Sequence, residues 1–88
     1  MDSLRLYSET LMHQVRWTKN ILDKFIEMAM LSEEEEFIMR TRCKGWTVTQ
    51  QALKLNKSEA SIHRMIKNLK DKYDAVQAED PEFFPRRK

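Results

Sequence analysis

The chain has 88 residues, 34% of them charged and 41% hydrophobic, with a formal net charge of +2. One glycine, two prolines and one cysteine exclude an intramolecular disulfide framework and a cysteine-based zinc cluster, and they argue against folds built on many tight turns. The composition implies one small all-α domain, a bundle of about four helices, and the single cysteine suits a reducing, cytoplasmic setting.

Residues 1–30 read as a long amphipathic N-terminal helix, spanning about 4–30, for packing or dimerisation. Leu4, Tyr7, Leu11, Val15, Leu22, Phe25 and Ala29 recur at spacings of three, four or seven, interrupted only by Thr18. A second stripe of Trp17, Ile21 and Met28 lies beside the first. One neighbouring helix would not cover so wide an apolar sector. Either the domain wraps around this helix or two copies pair through it, which makes Trp17, Ile21 and Met28 the candidate homodimer interface. Ser3 and Ser8 are both available as its cap. Arg5, Arg16, Lys19 and Lys24 interrupt any apolar run in this region, so no membrane span and no secretory signal is expected.

Residues 31–76 carry a denser pattern. "LSEEEEFIM" marks a helix start, with Ser32 as N-cap and Glu35 three residues on completing a capping box. Four consecutive glutamates suit the positive end of a helix dipole; they fan around the axis and cannot converge on a metal ion. This helix is expected to run to about Lys44 with Phe37, Ile38 and Thr41 inward, and Gly45 ends it. Thr47 and Gln50 form a second capping box, opening a helix of about two turns with Val48, Ala52 and Leu55 inward. Asn56 and Lys57 make a break, Ser58 caps the next helix, and Ile62, Met65, Ile66 and Leu69 form its apolar face to about Val76. "EDPEFFPRRK" then stops it at Pro81, leaving residues 77–88 as an extended tail that exposes Phe83 and Phe84.

Charge follows these divisions. Residues 1–39 hold four basic against eight acidic side chains, whereas residues 40–73 hold nine basic against two acidic. So basic a middle points to a polyanion partner. A short helix, a tight turn and a basic amphipathic helix form the anatomy of a helix-turn-helix.

From Leu31 to Tyr73 the chain resembles the DNA-binding domain of the LuxR/GerE family. Leu31, Ser32, Glu35, Ile38, Gly45, Thr47, Ala52, Leu55, Ser58, Ser61, Ile62, Ile66, Leu69 and Lys72 fall at the family's spacings without a gap. Residues 45–66 are similar also to the fourth region of bacterial sigma factors. Gln51, Asn56 and Lys57 depart from the family pattern, Gln51 standing where Ile or Val is usual and weakening that helix's grip on the core.

The resemblance implies a sequence-specific double-stranded DNA-binding protein, a bacterial transcriptional regulator with residues 58–73 as major-groove recognition helix. It implies base contacts from Ala60, Ser61, His63, Arg64 and Lys67, with Arg64 suited to guanine O6 and N7. Thr47, Thr49, Lys54, Lys57, Ser58 and Lys70 become candidates for phosphates. Glu59 is an awkward neighbour for phosphates. A homodimer would double the readout. The alternative keeps the fold but grips a protein, with RNA polymerase, a sigma factor or a mobile-element partner as candidates. No enzymatic activity, cofactor or metal is expected: there is no phosphate-cradling glycine loop and no nucleophile elbow, and Cys43 reads as core filler.

Overall fold

A computed structural model describes residues 11–87. It contains α1 (Leu11–Gln14), α2 (Lys19–Met28), α3 (Glu33–Cys43), α4 (Val48–Leu55) and α5 (Glu59–Glu79), and no strand among the described residues. No described helix is long and apolar enough to cross a membrane.

The long first helix requires correction. Residues 4–10, with Ser3 and Ser8, lie outside the described residues, but within 11–30 the helix breaks across Val15–Thr18. Thr18 takes an extended conformation (φ −100°, ψ 166°) and its hydroxyl accepts from the Ile21 amide at 3.2 Å. The Trp17 indole Nε1 donates to the Leu11 carbonyl at 3.2 Å, taking up one of the acceptors that α1 leaves open. The bend allows Leu11 and Val15 on one side, and Leu22 and Phe25 on the other, to enter the same core. Thr18, the one gap in the apolar stripe, is where the chain turns.

The start of α3 forms as its sequence dictates. Ser32 and Glu35 complete the capping box in both directions. Two of the four glutamates also reach other parts of the fold, Glu34 pairing with Lys57 (3.4 Å) and Glu35 with Lys72 on α5 (2.7 Å), while Glu36 pairs with Arg40 one turn on in α3 itself (2.8 Å). Arg40 in turn reaches Asp23 on α2 at 3.1 Å. α3 therefore ties together α2, the α4–α5 turn and α5. Gly45 follows at φ +93°, a conformation that side chains disfavour.

Thr47 and Gln50 complete the second capping box. Gln51, expected to weaken α4, is instead a fully buried polar tie. Its Nε2 donates to the Ile38 carbonyl (3.1 Å) and to Thr41 Oγ1 (2.8 Å), holding α4 to α3. Asn56 closes α4 in the left-handed conformation (φ 56°, ψ 47°), which asparagine tolerates better than most residues. Ser58 then caps α5, which continues to Glu79, slightly past the expected end at about Val76.

Tyr73 lies at the centre of the core, in contact with Trp17 (5.4 Å), Phe25 (5.6 Å) and Phe84 (5.9 Å) between ring centroids. The contact with Phe84 corrects the extended tail. Residues 77–79 belong to α5, residues 81–83 turn, and the following segment straps back across α5. Phe84 is fully buried, and the Tyr73 hydroxyl donates to the Pro85 carbonyl. Arg87 forms a two-pronged ion pair with Asp74 (2.7 Å each) and reaches Gln14 Oε1 at 2.8 Å. A buried aromatic side chain outweighs the entropy of ordering a few residues, so the segment docks.

Candidate nucleic-acid interface

The site is built on α4, its left-handed turn and the first half of α5. Ala52 is buried, small enough for the two helices to pack closely. Ile62, Ile66 and Leu69 are buried on α5, and helical geometry then directs positions 60, 63, 64 and 67 to the opposite side. Ala60, Arg64 and Lys67 are exposed there, with His63 half-buried beside them. These four share one face with no carboxylate among them.

Ser61, the fifth candidate, is half-buried; its Oγ accepts from Arg64 Nη2 at 3.2 Å and lies 3.1 Å from Ser58 Oγ. Its role in the free protein is to brace the Arg64 guanidinium. Glu59 points across the turn and accepts from Thr49 Oγ1 at 2.8 Å, pinning the start of α5 to the start of α4.

The phosphate candidates are not brought together in the same way. The Thr47 and Ser58 hydroxyls are engaged in capping, accepting from Gln50 and Ser61 amides at 3.1 Å each. Thr49 holds Glu59. Lys57 is paired with Glu34, and Lys70 is half-buried further along α5. Lys54 stands over a groove between α3 and α4.

Of the basic residues in the middle of the chain, Arg40, Lys57 and Lys72 have carboxylate partners. Arg42 turns inward, donating to the Trp46 carbonyl at 3.3 Å. Lys44, Lys54, Arg64, Lys67 and Lys70 form no ion pair among the described residues. The positive charge open to a polyanion is therefore narrower than the composition suggests.

Two pairings shift carboxylates. Arg87's hydrogen bonds hold Asp74 below its ordinary value against partial burial. Burial raises Glu35, but the Lys72 ammonium and the Ser32 amide outweigh it and bring Glu35 below its ordinary value.

The α3–α4 groove, about 600 Å³ in volume, was not legible in the sequence. Phe37 and Trp46 meet edge to face along it at 5.4 Å and 89°. Along α3 the lining passes from Glu33 and Glu36 to Arg40 and Lys44, and Lys54 reaches the groove from α4. A tryptophan directly after the only glycine was the available signal.

Trp17, Ile21 and Met28, the candidate dimer interface, pack against the protomer's own core. Cys43 is exposed, not core filler; local burial pushes its thiol up, with Arg40 opposing. No cluster of three metal-ligating side chains occurs among the described residues. No protein-family model, curated protein or solved structure matches the chain.

Proposed function

We propose that this chain binds double-stranded DNA through a helix-turn-helix formed by α4 and α5, with α5 entering the major groove as a bacterial transcriptional regulator of the LuxR-like kind would present it. The observation that carries the reading is the outward face of Ala60, His63, Arg64 and Lys67, held by buried Ile62, Ile66 and Leu69, with Asp71, one turn beyond Lys67, the first carboxylate along that face. Arg64, braced by Ser61, can meet guanine O6 and N7 with two parallel hydrogen bonds, a pairing worth about 1–3 kcal/mol of discrimination. The amide ends of α4 and α5 are disposed to hold phosphates beside it. The reading of the chain as a protein-interaction module loses one support, because Phe84 is occupied within the fold.

Fluorescence anisotropy on random duplex DNA across a salt series tests the proposal. Wild type should bind with a dissociation constant of about 10⁻⁴–10⁻⁶ M at physiological salt, weakening steeply as salt rises. Arg64→Ala/Lys67→Ala should lose most of that affinity and flatten the salt slope by about 1–2. Absence of binding at low salt, or an unchanged slope in the double variant, would refute it.

A further inference from the structure

We infer that the outward face of α5 reads a pyrimidine 5-methyl group beside a guanine, Ala60 meeting the methyl and Arg64 the guanine on adjacent base pairs. The inference rests on the DNA reading proposed above and adds the base chemistry to it. In the major groove every base pair presents hydrogen-bonding groups, and thymine adds a 5-methyl group. Ala60 is exposed on the face, and its side chain is a single methyl. It has no donor for guanine O6 and no acceptor for the amino groups of adenine or cytosine. The one base feature it favours is another methyl, at C5 of thymine or of 5-methylcytosine.

The polar residues that precede Ala60 are turned to other partners. Glu59 accepts from Thr49 Oγ1 at 2.8 Å, Lys57 pairs with Glu34 at 3.4 Å, and Ser58 Oγ accepts from the Ser61 amide at 3.1 Å. Ala60 is left as a short apolar step, with the longer Arg64 and Lys67 following it along the same face. One turn separates Ala60 from Arg64, which sets their Cβ atoms about 5–6 Å apart. The guanidinium comes closer still. Its Nη2 donates to Ser61 Oγ at 3.2 Å, so it lies back toward the first turn of α5, where Ala60 is Ser61's neighbour in the chain.

The bond to Ser61 spends one N–H of the guanidinium fork and leaves the others for guanine O6 and N7. Successive base pairs lie about 3.4 Å apart, so a methyl and a guanidinium held this close together fall on neighbouring pairs. Lys67 stands further along the face and is a point charge on a flexible stem; it adds attraction without that geometry. Thymine and 5-methylcytosine offer Ala60 the same group, and the two sources are separable by experiment.

Pairs of short duplexes that differ only in methyl groups test the inference, by fluorescence anisotropy at one low salt concentration without multivalent cations, so that all stay in the B form. The first pair is alternating TG·CA and the same duplex with deoxyuridine for thymidine. The second is alternating CG with 5-methylcytosine and the same duplex with cytosine. Wild type should bind the methyl-bearing member about 3–5-fold more tightly, the worth of one buried methyl group. A preference in both pairs establishes the shared chemistry; a preference in one alone supports the inference and identifies the source. Ala60→Gly, shown by circular dichroism to be folded, should bind both members of a pair alike. 7-Deazaguanine in the TG duplex, which lacks N7, should weaken wild type about 5-fold or more and leave Arg64→Ala unaffected. Equal binding within both pairs, a methyl preference that survives Ala60→Gly, or a 7-deazaguanine loss that survives Arg64→Ala would overturn the inference and leave duplex binding standing. Failure to bind any of the duplexes would overturn the DNA reading and this inference with it.

Discussion

Replacing Phe84 with alanine measures how far the fold depends on the segment that straps back across α5. The ring is fully buried and meets Tyr73 edge to face at 5.9 Å. An aromatic side chain in such a position removes about 150–250 Å² from water. At about 25 cal/mol per Å² that is roughly 4–6 kcal/mol as an upper bound. The strap lies at the edge of the core, so its site opens to water on substitution and leaves no sealed cavity. The loss should therefore sit near the lower end of the range for buried phenylalanine, about 3 kcal/mol. A domain of this length holds about 4–13 kcal/mol in total, and the same loss lowers the melting temperature by roughly 12–24 °C. Urea unfolding followed by circular dichroism gives the free energy directly. Truncation after Pro81 also removes the Pro85 carbonyl that accepts from the Tyr73 hydroxyl, and should cost about 1–2 kcal/mol more than Phe84→Ala, the exposed Arg87–Asp74 pair adding little. A Phe84→Ala cost below about 1 kcal/mol, or a truncation that costs far more than Phe84→Ala, would refute the assignment of the ring as the anchor.

Three further outcomes can be checked. Gln51→Leu should change stability by less than about 1 kcal/mol, since the buried Gln51 Oε1 has no hydrogen-bond partner and the Thr41 hydroxyl keeps its bond to the Phe37 carbonyl; Gln51→Glu, which buries a carboxylate facing the Ile38 carbonyl oxygen, should lose about 3 kcal/mol or more in the same urea assay. Stability should fall at both ends of a pH series. Glu35 and Asp74 lie below their ordinary 4.5 and 3.8 when folded, so their contribution is complete above those values and disappears as pH drops through the folded ones, and Lys72→Met should flatten that acid limb. Burial, reinforced by Asp74, pushes Tyr73 up to about 12 from 10.0; its contribution is complete below pH 10.0 and is lost as pH rises toward about 12, which a tyrosinate absorbance titration run beside unfolding measurements will reveal. Glu59→Gln keeps an acceptor for Thr49 but removes a negative charge from the start of α5, beside the face proposed to meet DNA, and affinity for random duplex at low salt should rise about 2–5-fold; a fall would place Glu59 among the contacts.

Features decided within three or four residues were legible in the sequence. Ser32 with Glu35, Thr47 with Gln50, Ser58 with Ser61, and the positive φ at Gly45 all follow from local backbone needs, and each was expected where it occurs. The face formed by residues 60, 63, 64 and 67 was equally legible, because helical spacing alone sets it once Ile62, Ile66 and Leu69 turn inward. Distant partners were not. Thr18 breaks the first helix with help from Trp17, whose ring rests on Tyr73 far along the chain. The strap depends on the same tyrosine. Lys57 and Lys72 look like free cations until α3 brings Glu34 and Glu35 to them. Gln51 looks like a flaw in an apolar face until the Ile38 carbonyl and Thr41 hydroxyl arrive from another helix. The phosphate candidates dispersed for that reason, while the face of residues 60, 63, 64 and 67 did not.

The bond from Arg87 to Gln14 joins side chains 73 positions apart. Both ends of the described fold therefore meet at one pole, and the domain is close to a ring that lacks a single link. A circular permutant that bridges this pole and opens between Lys44 and Gly45, both exposed, would keep the helices and their packing while changing their order. It would also turn the Arg87–Gln14 contact into a local one. Chain closure across that span would no longer be a late requirement, and the permutant should fold faster than the parent at similar stability.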